Sequence, residues 1–354
     1  MIRGASDIVM RMRKLLISLS LILFGIFLGL GLAEGLVRFF YSHARDAVIP
    51  GHLFTIDDDL GWRLAPSKSP THHSRYFDVR YTTNSLGFRD KPRSIRKDQG
   101  THRVLLYGDS LIFGWGLADG ERFSDLIESE RASLEIWNHG VPGWGLDQEI
   151  ILYEKEGGVL HADGVMFFVG ASTLSRIHTG YIYAKYKPMF TPGRDGRLTL
   201  VPVPTGKNAA VSLFYELLSP FYLPYFIQTQ IAIIEEAARL HATGGGEQRP
   251  PLTLESTRFV DGLSKDMLRM ASSTARSRNQ QMMILVANLS QVDRTDLQDF
   301  CRETGIEYLE IDPEISATQT TDENSDLIFG KYDKHWNGKA NRLIAAEILL
   351  QMKH

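Results

Sequence analysis

Val104-Leu-Leu-Tyr-Gly-Asp-Ser110 is the stretch on which the fold turns. An apolar run this short, closed by Gly-Asp-Ser, reads as a buried strand whose end carries a serine hydroxyl. A serine is a weak nucleophile until a base takes its proton and a third group orients that base. Near the far end of the chain, Asp333-Lys-His335-Trp-Asn337 offers an imidazole with a carboxylate two residues before it. The chain therefore holds the three parts of a nucleophilic acyl-transfer site, in the order Ser, Asp, His.

On either side of Ser110, strands alternate with helical stretches. Val104–Tyr107 is a strand, Glu121–Glu130 a helix, Glu135–Asn138 a strand, Asp147–Lys155 a helix and Val165–Val169 a wholly apolar strand. A long helix over Leu254–Arg278 follows. After it come a strand at Met282–Ala287, a helix at Val292–Thr304, a strand at Tyr308–Ile311 and an amphipathic helix at Gly338–Met352. Repeated β-α units predict a parallel sheet with helices on both faces. The expected class is α/β: a flavodoxin-like three-layer α/β/α fold with a five-stranded parallel sheet, preceded by one N-terminal transmembrane helix.

Two segments depart from this rhythm. Residues 34–100 carry turn signals and one short alternating strand at Val79, Tyr81 and Thr83, and read as a linker and lead-in that packs on the main domain. Residues 176–252 read as an insertion after the third strand. It holds an extended piece, a helix near Val211–Leu218, another near Phe226–His241, and a Gly244-Gly-Gly246 loop ending at Pro250-Pro251. Its aromatics include Tyr181, Tyr183, Tyr186, Phe190, Phe214, Tyr215, Phe221, Tyr222, Tyr225 and Phe226. They could line a substrate cleft, but packing the insertion onto the domain is the plainer reading.

Composition narrows the function classes. The chain has 354 residues, 43% of them hydrophobic and 23% charged, enough for a sizeable core. The net charge of −3 comes with no basic tract of the kind that tracks phosphates, which argues against nucleic acid as a partner. The single cysteine, Cys301, excludes an internal disulfide and a site built on several thiolates, and no metal-ligand spacing or cofactor motif is present.

Leu15–Ala33 runs for 19 residues without a charge, close to the ~20 that a helix needs to cross a bilayer. Arg3, Arg11, Arg13 and Lys14 precede it against Asp7 alone, so residues 1–14 read as a cytoplasmic tail and 15–33 as a transmembrane helix. A cleaved signal peptide ending near Gly31 or Ala33 is the competing reading. On the anchor reading the chain is a single-pass protein of the cell's inner (plasma) membrane, with its main domain outside the cytoplasm.

The motifs resemble those of the SGNH (GDSL) hydrolases, particularly membrane-anchored bacterial members. Gly108-Asp109-Ser110-Leu111 matches the first block, whose serine is the family nucleophile. Asn138-His-Gly140-Val-Pro-Gly143-Trp-Gly145 is similar to the second, whose glycine falls on Gly143. Asp333-Lys-His335 matches the block that carries acid and base. The likeness spans about 101–354, and Leu60-Gly-Trp-Arg63 and Asn84-Ser-Leu-Gly-Phe-Arg89 also resemble anchored relatives. The resemblance implies Ser110 as nucleophile, His335 as base, Asp333 as orienting acid, and the Ser110 and Gly143 backbone N–H groups as oxyanion donors. The third block departs from the pattern. Where the family carries Gly-x-Asn-Asp, this chain has Gly170-Ala171-Ser172-Thr173. A hydroxyl at Ser172 or Thr173 could stand in for the missing amide, Ser172 first; otherwise another group reaches in from the insertion, or activity is low.

Plainer readings stand beside these. Ser110 could be a helix cap, His335 a solvated loop histidine, and Asp333 a cap for the last helix, although Asn337 suits that task better. Asp109 reads as structural, holding the turn through its side chain. His102, His139 and His178 are rival bases near strand ends, but none has an aspartate so close before it. The function expected is an extracytoplasmic serine esterase or O-acyltransferase acting on an ester substrate, most simply O-acetyl esters of envelope or extracellular polysaccharide. A membrane acyltransferase is a partner that such a domain could serve. The alternatives are a catalytically silent glycan-binding or scaffold domain and a lipid-acting lipase or lysophospholipase.

Overall fold

In the strand β1 (His102–Gly108), Leu105 and Tyr107 join one core cluster while Val104 and Leu106 join the other. That alternation is the strand period of two, here with both faces covered. The computed structural model describes residues 2–41, 51–183, 185–193, 197–208, 217–218, 221–224, 226–227, 230, 258–311, 327–330 and 333–352. They fall into two compact units, Met1–Val48 with Leu217–Glu247, and Ile49–Glu216 with Gln248–His354.

The larger unit is built on five strands, β1, β2 (Leu134–Gly140), β3 (Gly164–Gly170), β4 (Gln281–Ala287) and β5 (Glu307–Glu310). All pair in parallel in the order 2-1-3-4-5, the flavodoxin-like arrangement. Six helices of this unit, α2 to α7, bear on its core or its strand ends: α2 (Ser110–Phe113), α3 (Phe123–Glu130), α4 (Leu146–Glu156), α5 (Ala171–Ser175), α6 (Gly262–Ser277) and α7 (Gln291–Thr304). A further one, α8 (Gly338–Gln351), closes the chain. Ile150 and Tyr153 of α4, Met267, Leu268 and Ala271 of α6, and Leu297 and Phe300 of α7 cover one face of the sheet. Phe123 and Ile127 of α3 pack with Ala340, Ile344 and Ile348 of α8 over the other. Each face is thus filled from helices far apart in sequence, which is why the strand ends stay in fixed positions. The helix expected to begin at Leu254 starts at Gly262 instead. Asp261 caps it, accepting from the Ser264 N–H at 2.8 Å, while the Asp261 N–H donates to Ser264 Oγ at 3.0 Å.

The lead-in is richer than its sequence pattern suggests. Phe54–Asp57 pairs with Gly61–Leu64 and Thr71–His73 with Asp78–Arg80, each as an antiparallel hairpin. Strands of three or four residues leave almost no alternation to read. Trp62 and Trp144 lock this segment to the loop after β2: Trp62 Nε1 donates to the Pro142 carbonyl at 3.2 Å and Trp144 Nε1 to the Trp62 carbonyl at 3.0 Å. Within the insertion, two hairpins, Tyr181–Ile182 with Lys185–Tyr186 and Met189–Pro192 with Leu198–Val201, form the extended piece. The helices expected near 211–218 and 226–241 and the loop at 244–251 lie for the most part outside the described residues.

In the smaller unit, α1 (Ile2–Phe40) contains Met10–Phe40, long and apolar enough to cross a membrane, with a mean hydropathy of 2.6 in its best window. The apolar helix therefore extends beyond the 15–33 stretch on both sides. Glu34 on its last turns accepts from the N–H groups of Tyr222 and Leu223.

Candidate active site

The turn that carries Ser110 is short because two glycines let it be. Gly140 ends β2 beside Gly108 in the sheet register, and a Cβ at Gly140 would collide with the backbone of Ile112 and Phe113. Its absence lets α2 lie directly across the strand ends. Asp109 caps α2, accepting from the Leu111 N–H at 2.9 Å, so Ser110 is the first helical residue and its side chain is released from capping. Asn138 braces the same turn by donating to the Ile112 carbonyl at 2.8 Å.

A further hairpin, β6 (Ile328–Gly330) and β7 (Asp333–Trp336), brings the imidazole over this turn. His335 Nε2 lies 2.8 Å from Ser110 Oγ, and His335 Nδ1 lies 2.7 Å from Asp333 Oδ1. The same carboxylate oxygen accepts from the His335 backbone N–H at 3.1 Å, which holds acid and base in one register. Burial by itself would raise the Asp333 carboxyl. The hydrogen bond and charge of His335, its backbone N–H and the Trp115 indole outweigh that, and hold Asp333 below the ordinary carboxylate range. Asn337, as expected, caps α8.

Trp115 is the residue that sequence reading missed. Its Nε1 donates to Asp333 Oδ2 at 3.0 Å, and its ring stacks on His335 with centroids 4.7 Å apart and planes 13° from parallel. One indole thus fixes the Asp333 carboxylate and covers the His335 ring. The lead-in builds the loop that carries it. Arg89, 1% exposed, donates to the carbonyls of Phe113, Gly114 and Leu117, and the Tyr81 hydroxyl accepts from the Gly116 N–H at 3.0 Å. Burial pulls Arg89 down to about 10 and pushes Tyr81 up to about 12, so near neutrality the first stays charged and the second neutral. His72 meets the Trp115 ring edge-on at 5.0 Å. The one signal in the sequence was the pair of glycines flanking Trp115, at φ +81° and +73°.

Gly143 lies in the loop from β2 to α4 at φ +84°, a conformation that favours glycine. Ser172 departs from expectation. Its hydroxyl donates to Asp109 Oδ2 at 2.7 Å, so its only proton is engaged there and is not held free in place of the block-three amide. The reason is local: α5 directs Ser172 and, one turn on, Arg176 towards the same carboxylate. Arg176 Nη1 reaches Asp109 Oδ2 at 2.9 Å and the Trp144 carbonyl at 2.8 Å, joining the nucleophile turn to the loop that carries Gly143. Thr173 is spent on capping, its Oγ1 accepting from the Gly170 N–H at 3.0 Å.

The rival histidines sit elsewhere. His139 is buried, stacked on Tyr107, with neither ring nitrogen hydrogen-bonded among the described residues, and burial drives it down to about 3. His102 faces Asp163 at 3.8 Å and His178 faces Asp261 at 3.4 Å. No cluster of three metal-ligating side chains occurs among the described residues.

Solved structures similar to this chain include a member of the lipolytic protein G-D-S-L family from Veillonella parvula, at 12% identity and TM-score 0.39, covering 72% of this chain and 100% of that one. The lipase/acylhydrolase from Enterococcus faecalis gives 13% and 0.37, covering 72% and 96%; the psychrotrophic esterase EstA from Pseudoalteromonas sp. gives 12% and 0.37, covering 71% and 97%. The first of these carries in its title the name of the group that the motifs resemble. No protein-family model and no curated protein matches the chain.

Proposed function

We propose that this chain is a serine ester hydrolase or acyltransferase of the SGNH type. The observation that carries it is the hydrogen-bonded run Asp333–His335–Ser110, at 2.7 and 2.8 Å. His335 takes the Ser110 proton as Oγ attacks an ester carbonyl. The oxyanion rests on the backbone N–H groups of Ser110 and Gly143. His335 then returns the proton to the leaving alkoxide, which departs as the alcohol and leaves an acyl-serine. In the second half, His335 deprotonates water or an acceptor hydroxyl as that oxygen attacks the acyl carbonyl, then returns the proton to Ser110 Oγ as the acyl–serine bond breaks, releasing the acid or the new ester. Asp333 keeps Nδ1 protonated and stabilises the imidazolium, while Trp115 holds both in place.

The preferred substrates are O-acetyl esters of envelope or extracellular polysaccharide. The N-terminal helix, whose uncharged Leu15–Ala33 stretch follows Arg11, Arg13 and Lys14, supports a domain tethered on the outer side of the inner membrane, where such glycans lie. The test is labelling with a serine-directed phosphonate, followed by hydrolysis of acetyl and decanoyl esters. Wild type should label at Ser110 and favour acetyl, while Ser110→Ala should neither label nor turn over. An unlabelled wild type would leave the silent-domain reading, and a preference for decanoyl esters the lipase reading.

A further inference from the structure

The aromatics of the insertion's two hairpins divide into two groups. Phe190 is buried and Tyr186 half-buried, as packing residues should be, but Tyr181 is 50% and Tyr183 is 51% exposed. Tyr183 directly follows the strand Tyr181–Ile182 and holds φ +50°, a left-handed conformation costly for a bulky residue. Glycine or asparagine would serve such a turn better, so the turn alone gives no reason for tyrosine. The ring lies against the α-carbon of Gly143, where an added Cβ would stand 3.1 Å from Tyr183 Cε2. Its hydroxyl accepts from Arg176 Nη2 at 3.3 Å, the guanidinium that also grips Asp109 and the Trp144 carbonyl. Tyr181 lies two residues back along the hairpin with its ring on Tyr186, centroids 4.8 Å apart.

This hairpin is firmly mounted. Asn208 exchanges two hydrogen bonds with the Tyr186 backbone, both at 2.7 Å, and Lys187, just beyond, forms a fully buried ion pair with Asp147 of α4. A rigid base that presents two phenol rings to water, one of them at the oxyanion glycine, is the form of a recognition surface.

We propose that Tyr181 and Tyr183 form a carbohydrate-binding strip that leads away from Gly143 and holds the glycan whose ester reaches Ser110. Sugar rings present C–H faces and hydroxyls together, which suits an aromatic face with a polar tip beside a guanidinium. An acyl chain needs a cleft shut off from water, and these rings stand half in water. The choice of a sugar ligand depends on Ser110 being an ester-cleaving nucleophile, so the test measures binding apart from catalysis.

Full-length Ser110→Ala protein in detergent micelles is titrated calorimetrically with xylohexaose, chitohexaose and a mannuronate hexasaccharide. At least one should bind. Tyr181→Ala and Tyr183→Ala, added singly, should each weaken that binding by roughly three- to tenfold, the order of one aromatic stack. Tyr183→Phe, which keeps the ring, should restore most of the affinity, and melting curves identify any variant that has lost its fold. Absence of binding to all three sugars, or equal binding by the folded double alanine variant, overturns the strip. Stronger binding of a decanoyl ester than of any sugar overturns it too. Phosphonate labelling of the parent separates the two ideas: labelling without sugar binding removes only the strip, and sugar binding without labelling removes only the esterase.

Discussion

Replacing Trp115 tests the site at the point where acid and base are both held. Trp115→Phe keeps an aromatic ring over His335 but deletes the Nε1 donor to Asp333 Oδ2. A hydrogen bond to a charged group contributes about 1.5–3 kcal/mol, and each ~1.4 kcal/mol is a decade in rate, so the expected loss in kcat/KM is roughly 10- to 150-fold. The loss should fall on kcat with KM nearly constant. The orientation of Asp333 matters most once His335 carries positive charge, which happens in the transition state and not in the bound ester. Trp115→Leu also removes the ring that stacks on His335 at 4.7 Å, and an indole facing a cation contributes about 0.5–2 kcal/mol. A further loss of roughly two- to thirtyfold is therefore expected. Steady-state hydrolysis of p-nitrophenyl acetate reads both variants, with thermal melting as the check on folding. A folded Trp115→Phe protein within threefold of wild type would refute the coupling of this indole to catalysis.

Four other outcomes follow from the same geometry. Ser172→Ala should reduce kcat/KM by less than about tenfold, well short of the ~10²–10³ that a lost oxyanion donor costs, because its proton faces Asp109. Gly143→Ala must hold an alanine at φ +84° against Tyr183, and should lower stability by about 1–3 kcal/mol in denaturant melts and cut activity more than Ser172→Ala does. Arg89→Met strands three carbonyls of the Trp115 loop, and a loss of about 3 kcal/mol or more should appear as a lower melting temperature together with lower activity. Glu149 is fully buried with no partner for either carboxylate oxygen among the described residues, and burial, then Asp109 and Asp147, raise it well above the ordinary carboxyl. The unfolded chain releases this proton at ordinary acid pH while the folded chain keeps it. Wild type should therefore lose up to about 1.4 kcal/mol per pH unit relative to Glu149→Gln as pH rises above ~4.3, and parallel pH–stability curves for the two proteins would contradict this.

Much of the molecule was legible in its residues. A short apolar run bounded by glycines, such as Val165–Val169, reads as a strand covered on both faces, and the alternation of such runs with amphipathic helices sets the layer order. Ser110, Asp333 and His335 could be picked out as candidates, because a serine closing a strand and an aspartate two residues before a histidine are local facts, and the fold brings the three into one hydrogen-bonded run. Local pattern reports backbone period and neighbouring chemistry, and these features have no other content.

Partnership across long stretches of chain was settled only by packing. Nothing in Gly114-Trp-Gly116 says that its indole will meet Asp333, and nothing in residues 81–89 says that Tyr81 and Arg89 will frame that indole's loop. The hydroxyl of Ser172 had two possible directions, and the pitch of α5 beside Asp109 chose between them. Among ten aromatics of one insertion, only the folded hairpin separates the buried Phe190 from the water-facing Tyr181 and Tyr183. A side chain's type limits the bonds it can make. Which bonds it makes depends on the atoms that close packing brings within about 3 Å, and that distance is a property of the whole core.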